Sequence, residues 1–302
     1  MNLRNRSPLL AKLGEKLLGF SARRSLPEWH GEHFFNDIPV TVTRMELAGA
    51  ARPLVLFVDT FTGYFESLNA RCAVKVLQAA GYTVHVATKQ QDDGKHLCCG
   101  RTYLASGIVD EARAKAREVL DSLLPFAERG VPVVGLEPSC LLTLRDEMLA
   151  MGFGEAAKRV ADNAFLFEEF LAREAAGGRL KLPLKRVADK VMVHGHCHQK
   201  AFDAFTPVMK VLRLIPGLEV NVIESSCCGM AGAFGYGAET YDTSIEMAEL
   251  SLLPAIRNAD TNTLIVADGT SCRHQIKDGA HRTAQHVARV LAMSLDEKHT
   301  QS

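Results

Sequence analysis

Two features are missing from this sequence of 302 residues: an excess of charge of either sign and a long apolar run. Its 35 Lys and Arg residues balance 35 Asp and Glu residues, which argues against a nucleic-acid-binding protein with a basic surface. No apolar run approaches the ~18 residues of a membrane span. Lys12, Glu15 and Lys16 interrupt the first apolar segment, so a signal-peptide core is absent too. We therefore predict a soluble, cytoplasmic protein, which could reach the inner face of the membrane only peripherally, through a partner.

Several catalytic and nucleotide-binding motifs are also missing. There is no GxSxG and no HExxH, and no nucleophile–base pair is evident. The glycine-rich stretch CCGMAGAFGYG at 227–237 has neither the G-x-G-x-x-G order nor a following Lys-Ser/Thr. We therefore predict no catalytic residue and no FAD site in this chain.

Cysteines are few, but their placement is not random. Eight in 302 residues are too sparse for a disulfide scaffold, yet Cys-Cys-Gly occurs twice, at 98–100 and 227–229. Adjacent cysteines rarely bond each other, because the peptide geometry strains the disulfide. In a reducing compartment such doublets indicate thiolate ligands to a metal.

The chain also repeats itself, with a period of about 130 residues. Each half has the order strand, helix, strand, CCG turn, helix, strand and Cys, beginning at LVLFVDTF (54–61) and at VMVHGHCH (191–198). This alternation is typical of right-handed βαβ units and a parallel sheet. We predict an α/β fold with two Rossmann-like repeats related by a pseudo-twofold axis and preceded by a helical N-terminal arm. The predicted boundaries are 1–50 for the arm, 51–178 for the first repeat with a helical connector, and 179–302 for the second repeat.

Parallel strands bring their carboxyl ends to one edge of a sheet, where sites form. We therefore expect the cysteines at those ends to converge as metal ligands. The second repeat offers four and the first offers three: Cys197, Cys227, Cys228 and Cys272, then Cys98, Cys99 and Cys140. Thr60, or Asp59 before it, stands where a fourth ligand of the first repeat would be, and Cys72 is predicted to be a core residue of a helix. Glycines near the doublets, Gly100, Gly229 and Gly232, are predicted to let backbone N–H groups approach the metal centre.

Thiolates suit iron–sulfur clusters, zinc or Cu(I). Closely spaced C-x₂₋₄-C zinc knuckles are absent, whereas iron–sulfur ligands can be dispersed, so we favour an iron–sulfur cluster, of the [4Fe–4S] type. Zinc at one site stays open, because His194, His196 and His198 flank Cys197.

At these residues the chain resembles the cysteine-rich CCG-domain iron–sulfur proteins. The stretches GLEPSCLLTLRDE, HGHCHQKA, ESSCCGMAGAFGY and ADGTSCRHQI are most similar to the carboxyl-terminal part of FAD-linked oxidases of the D-lactate and D-2-hydroxyglutarate dehydrogenase type. The family also includes the iron–sulfur subunit of glycolate oxidase and the B subunit of heterodisulfide reductase. The chain departs from the fullest family pattern in having Thr143 and Gln275 where a second C-x-x-C cysteine stands, and Thr60 at a leading cysteine position.

The resemblance implies an iron–sulfur electron-transfer subunit or domain of an FAD-dependent 2-hydroxyacid dehydrogenase. Electrons would pass from an FAD-linked oxidase partner, through a ferredoxin-like partner, to a quinone or another acceptor, and the chain alone would be inactive. Two alternatives stay open: a zinc-stabilised structural or assembly subunit, and a thiol/disulfide reductase like heterodisulfide reductase. Whether the chain is a natural subunit or a fragment of a larger protein also stays open.

Overall fold

Two parallel four-stranded sheets organise the protein, whose computed structural model describes residues 1–36, 51–89 and 96–296. The strands of the first sheet are β1 (Pro53–Phe57), β2 (Thr83–Val86), β3 (Val133–Gly135) and β4 (Ala164–Leu166). Those of the second are β5 (Lys190–His194), β6 (Glu219–Val222), β7 (Leu264–Ala267) and β8 (Ala284–Gln285). The orders are β2-β1-β3-β4 and β6-β5-β7-β8, so both sheets have the same topology. The predicted α/β class and the two Rossmann-like repeats are confirmed.

Equivalent positions in the two sheets can be assigned from the strand registers. The last residue of β1, Phe57, pairs with Gly135 of β3, and the last residue of β5, His194, pairs with Ala267 of β7. The central strands are apolar because helices cover them, and every residue from Leu54 to Phe57 is at most 1% exposed. The registers therefore make Phe57 and His194 structural counterparts.

Helices supply the arm and the crossovers between parallel strands. From the amino terminus through the first half they are α1 (Asn2–Arg6), α2 (Pro8–Leu18), α3 (Ser67–Ala79), α4 (Arg101–Ala105), α5 (Val109–Ala127), α6 (Pro138–Arg145), α7 (Glu155–Asp162) and α8 (Phe167–Ala176). In the second half they are α9 (Cys197–Ala201), α10 (Thr206–Leu212), α11 (Tyr241–Glu249), α12 (Leu252–Arg257), α13 (Thr270–Ala280) and α14 (Val287–Ser294). Within the described residues, none of these helices combines the length and the apolar character that crossing a membrane requires.

The compact units are interleaved along the sequence. One unit contains the second sheet and takes in Met1–Gly31, Ala188–Phe205 and Gly217–His286. The other contains the first sheet and also takes in α10 and α14, which pack on α8 and α3 respectively. Part of the predicted arm, residues 37–50, lies outside the described residues. The predicted sequence boundaries at 50/51 and 178/179 stay a prediction.

Residues Met1–Gly31 of the arm belong to the unit that contains the second sheet. Helix α2 of the arm begins with Pro8 and ends at Leu18, and the left-handed backbone of the next residue, Gly19 (φ 71°), turns the chain. Phe20 then forms an antiparallel bridge with Gly237, and the Ser21 N–H donates to the Tyr236 carbonyl at 2.8 Å. The arm is thereby attached to the glycine-rich stretch that follows the second CCG.

Arg24 is the buried anchor of this attachment, and its side chain is fully inaccessible to solvent. Its guanidinium donates to the Gly235 carbonyl at 3.0 Å, to Asp278 Oδ2 at 3.4 Å and to Ser244 Oγ at 3.5 Å. These three acceptors lie in the loop after the CCG, in α13 and in α11. One arginine therefore ties the arm to the elements around the second cysteine doublet.

We expect Arg24→Ala to destabilise the protein by about 3 kcal/mol, because it removes a buried guanidinium and leaves the Gly235 carbonyl and Ser244 without that donor and Asp278 without one of its partners. Arg23→Ala is the matched control, since Arg23 pairs with Asp242 at 2.6 Å on the surface, with side chains 56% and 71% exposed. That exposed pair should contribute less than about 1 kcal/mol. Urea unfolding of both variants measures the difference, and equal losses would contradict the anchoring role of Arg24.

Candidate metal centre

The four cysteines of the second repeat lie beyond the carboxyl ends of three neighbouring strands. Cys197 is the first residue of α9, directly after β5. Cys227 and Cys228 lie in the loop after β6, and Cys272 lies in the first turn of α13, after β7. Because β5 lies between β6 and β7, the three connections meet at one edge of the sheet.

Hydrogen bonds between sulfur atoms join the four side chains in a row, from Cys197 to Cys227, to Cys228 and to Cys272. The hydrogen bonds that Cys227 accepts from Cys197 and Cys228 lower its pKa to about 2. The pKa of Cys272 is also lowered, first by the hydrogen bond from Cys228 and then by the nearby imidazoles of His194 and His196. Cys228 and Cys272 are buried, whereas Cys197 is exposed. The structure thus brings together all four cysteines predicted for the second repeat, with one at the solvent edge.

Backbone N–H groups also point at these sulfur atoms. The Gly229 N–H donates to Cys227 Sγ at 3.3 Å, and in the first repeat the Gly100 N–H donates to the sulfur of Cys98. Both glycines have left-handed backbone, with φ of 86° and 82°. Gly232 shares that conformation (φ 66°), but its place beside the centre stays a prediction. The CCG motif therefore combines two thiols with a turn that directs a main-chain donor at the first of them.

Further main-chain donors have no signature in the sequence. The N–H of Met230 donates to Cys228, and the N–H of Arg101 donates to Cys99. Every residue except proline has an N–H group, so only the backbone conformation reveals which of them meet a sulfur. Sequence reasoning missed both donors for that reason.

Histidine nitrogens join the sulfurs in two groups. The ligand atoms of His194, Cys228 and Cys272 lie within 4.8 Å of one another, and all three residues are buried. His196, Cys197 and His198 form a second group of the same size nearer the surface. In that group His196 Nδ1 accepts the His198 backbone N–H at 3.2 Å and so caps α9. The inner group is thus the one in which all the members, the imidazole included, are buried.

The first repeat brings together its three predicted cysteines in the same way. Cys98 is hydrogen-bonded to Cys99, and Cys99 to Cys140. The hydrogen bond with Cys99, and then burial, raise the pKa of Cys98. The hydrogen bond with Cys140 and burial raise the pKa of Cys99, against the lowering effect of its hydrogen bond with Cys98. The pKa of Cys140 is raised to about 12: the hydrogen bond from Cys99 lowers it, but burial and the negative charges of Asp59 and Glu137 outweigh that effect. Three sulfur atoms, rather than four, line this site.

Asp59 and Thr60 differ in how they meet these sulfurs. The buried Asp59 carboxylate accepts the N–H groups of Phe61 and Thr62 at 2.8 and 3.2 Å and the Thr62 hydroxyl at 2.6 Å, so it caps a π-helical turn at Phe61–Phe65. Desolvation raises its pKa against the effect of these hydrogen bonds. The Thr60 hydroxyl instead lowers the pKa of Cys98. In the first repeat Thr60 therefore takes the position that Cys197 has in the second, and its hydroxyl hydrogen-bonds to the sulfur of Cys98.

The two residues that replace a second C-x-x-C cysteine are engaged elsewhere. Gln275 is fully buried, and its Nε2 donates to the Ser244 carbonyl at 2.9 Å. Thr143 is fully buried too, and its hydroxyl donates to the Ser139 carbonyl at 2.8 Å. Both side chains therefore serve the packing of their helices.

Cys72 lies apart from both sulfur rows. It is a half-buried residue of α3, and burial raises its pKa against the opposing charges of Arg289 and Lys75. Its placement agrees with the predicted position inside a helix. Which of the eight cysteines bind a metal stays a prediction.

The fold and the sulfur rows together define a two-sheet α/β protein with a cysteine-rich site at a sheet edge. Residues 191–277, which span β5 to α13 and all four cysteines of the second repeat, match the family described as "CCG: Cysteine-rich domain". Residues 191–277 of the chain therefore match a cysteine-rich CCG domain, and the resemblance noted in the sequence is confirmed.

Curated relatives include subunits and much longer proteins. The chain is 30% identical to the C subunit of the anaerobic glycerol-3-phosphate dehydrogenase of Escherichia coli K12, over 80% of this chain and 59% of that protein. It is 26% identical to the D-2-hydroxyglutarate dehydrogenase of the same strain, over 94% of this chain and 27% of that protein. It is 25% identical to the lactate utilization protein A 1 of Bacillus mycoides, over 78% of this chain and 95% of that protein. The chain thus spans less than two thirds of the length of the first two.

Proposed function

We propose that this chain is an iron–sulfur electron-transfer subunit or domain of an FAD-dependent dehydrogenase that oxidises a hydroxyacid or a related alcohol. The observation that carries the proposal is the row of four cysteine sulfurs at one sheet edge, within a cysteine-rich domain. Its relatives support the reaction class, because their names include two dehydrogenases and a lactate utilization protein.

The donor set fits an iron–sulfur cluster. Four thiolates match the ligand number of a [4Fe–4S] cluster, and the match to the cysteine-rich family gives zinc no support. Bound there, such a cluster would supply reversible one-electron transfer. Cys197, Cys227, Cys228 and Cys272 would hold it, and the three thiols of the first repeat are the weaker second candidate.

The surrounding residues would set the reduction potential and the access to the site. The Gly229 and Met230 N–H groups donate to sulfur, and hydrogen bonds of this kind raise the potential of a cluster. Cys228 and Cys272 are buried away from water, whereas Cys197 is exposed. We therefore place electron exchange at Cys197. A partner's redox centre must come close to the cluster for one-electron transfer, and Cys197 is the ligand that a partner can approach from solvent.

Partners would carry the remaining steps. An FAD-linked oxidase would take two electrons from the substrate, and a ferredoxin-like protein or domain would pass them on singly to this chain. A quinone or another acceptor would receive them. The thiols, imidazoles and main-chain N–H groups of the site do not accept a substrate hydride, so the chain alone should not oxidise a hydroxyacid.

Anaerobic purification of the full chain tests the cofactor. We expect about four iron and four sulfide per chain for one cluster, little zinc, and an EPR signal after reduction with dithionite. Stoichiometric zinc without sulfide would instead support the structural-subunit alternative.

Turnover measurements test the electron-transfer role. The purified chain, without flavin, should not oxidise D-lactate, D-2-hydroxyglutarate or glycerol 3-phosphate, whereas photoreduced free flavin should reduce its cluster. Oxidation of any of these substrates by the flavin-free chain would overturn the role. Reduction of a small disulfide by the reduced chain would favour the thiol/disulfide reductase alternative.

A further inference from the structure

His194 occupies a place that the fold uses for an apolar side chain. It is the last residue of β5 and pairs with Ala267, whereas its counterpart in the first repeat is Phe57, the last residue of β1. Both positions are 1% exposed. The repeat shows that packing at this strand end is satisfied by a phenyl ring. Packing alone therefore does not explain a histidine at this position. A buried imidazole destabilises the protein unless its nitrogens bind a partner.

One imidazole nitrogen is engaged by a hydroxyl. His194 Nδ1 lies 2.8 Å from Ser225 Oγ, and that hydroxyl donates its own proton to the Ile223 carbonyl at 3.3 Å. When the hydroxyl proton goes to the Ile223 carbonyl, the hydroxyl oxygen accepts from His194 and Nδ1 bears the hydrogen. In that tautomer Nε2 presents a lone pair.

The other nitrogen is buried beside two thiols. His194 Nε2 has no nitrogen or oxygen partner within the described residues, although the side chain is inaccessible to solvent. The neighbours of the ring are Cys228 and Cys272, whose sulfur atoms lie within 4.8 Å of one of its nitrogens, and Cys272 is close enough to hydrogen-bond with it. A buried imidazole beside two cysteines, with one nitrogen held by a hydroxyl, is the arrangement that metal-bound histidines have.

We propose that His194 binds the metal centre of the second repeat directly through Nε2, beside Cys228 and Cys272 and as a protein ligand in addition to the four cysteines. The inference rests on the proposed function in that it takes the metal to be iron in an iron–sulfur cluster. Ser225 is then the positioning residue that holds the ring in its Nδ1–H tautomer. A neutral imidazole among thiolates makes the centre less negative, and so it raises the reduction potential.

The test is pulsed EPR on the full chain, purified anaerobically, labelled with ¹⁵N only in histidine and reduced with dithionite. The wild-type spectrum should contain the strong ¹⁵N coupling of a directly bound nitrogen, and His194→Phe should lose it completely. His194→Phe installs the side chain of the equivalent position in the first repeat, so the packing has a precedent in the same chain. His85→Phe is the control, since His85 is also a buried strand histidine, and its ring packs on Phe126.

Two further variants separate binding from packing. His194→Cys should retain iron and lower the midpoint potential, because it replaces a neutral ligand with a thiolate. Ser225→Ala should retain the directly bound nitrogen but change its coupling constant, because Nδ1 loses its acceptor. A midpoint potential in His194→Cys equal to that of the wild type would count against the proposal.

The spectrum of the wild-type chain tests the His194 assignment even if a variant fails to fold. Iron and sulfide present without any directly bound ¹⁵N would overturn the His194 assignment and leave the proposed function intact. A coupling that survives in folded His194→Phe would overturn it as well. A chain without iron and sulfide would overturn both.

Discussion

Cys228→Ser should remove most of the iron that the anaerobically purified chain binds. Cys228 is the inner link of the sulfur row, hydrogen-bonded to both Cys227 and Cys272 and 5% exposed. A serine alkoxide is a poor ligand for a centre that selects soft thiolates, and a buried hydroxyl is not readily ionised. Iron and sulfide analysis with the visible spectrum measures the loss.

The matched control is Cys72→Ala, a cysteine of the same chain in helix α3. This change removes a thiol that only burial and two cations affect, so metal content should equal that of the wild type. Its cost in stability should not exceed about 1–2 kcal/mol, as for a small change in a packed helix. Full iron in Cys228→Ser, or stoichiometric loss in Cys72→Ala, would overturn the assignment of ligands to the second sulfur row.

The repeats were predictable because their causes are local. Apolar runs of strand length, periodic helices and glycine stops recur in both halves, and a parallel sheet requires a crossover between its strands. Once the sheets were predicted parallel, cysteines after successive strands had to meet at one edge. The sequence alone therefore predicts that Cys197, Cys227, Cys228 and Cys272 converge.

The interleaving of the units was not predictable in the same way. Helical periodicity tells which face of α14 is apolar, but not that this face packs on α3, more than 200 residues earlier. Arg24 presents the same difficulty. In the sequence it is one of six basic residues among the first 30, and its burial depends on Asp278, 254 residues away.

The role of a buried histidine also depends on distant contacts. In the sequence His194, His196 and His198 are three equivalent candidates around Cys197. The structure separates them, because His196 caps α9 whereas His194 ends a strand with one nitrogen on Ser225 and its ring beside two sulfurs. Only the tertiary contacts distinguish a helix cap from a candidate ligand.

The CCG glycines have a packing role that the sequence did not reveal. We predicted them as points of close backbone approach to a cluster, and the N–H groups of Gly100 and Gly229 do donate to sulfur. Each glycine is also pressed against the next helix. A Cβ at Gly100 would lie 2.6 Å from the Ala112 carbonyl oxygen of α5, and a Cβ at Gly229 would overlap the Ser244 carbonyl oxygen of α11. The close packing of each CCG loop against the following helix, α5 or α11, therefore requires glycine at the third position of the motif.

Gly229→Ala should therefore have the largest effect on stability of any single change considered for this chain. The left-handed backbone (φ 86°) costs a residue with a Cβ about 1–2 kcal/mol. The overlap with the Ser244 carbonyl adds about 1–3 kcal/mol, because a main-chain oxygen on the buried side of a packed helix cannot move aside without displacing the helix. Relief of the overlap would move the loop away from α11 and would carry Cys227 and Cys228 with it. We expect urea unfolding at lower concentration, together with faster loss of iron in air.

Gly232→Ala separates these two causes. Gly232 has the same left-handed backbone (φ 66°) in the same loop, but a Cβ there would meet no atom within 4 Å. Gly232→Ala should lower the free energy of unfolding by only the backbone cost of about 1–2 kcal/mol, and it should lose iron in air no faster than the wild type. Because both variants replace glycine by alanine in the loop just beyond the doublet, the difference between their unfolding free energies isolates the contact with Ser244. Equal destabilisation would mean that backbone conformation alone selects glycine in the motif, and that the loop position is not set by α11.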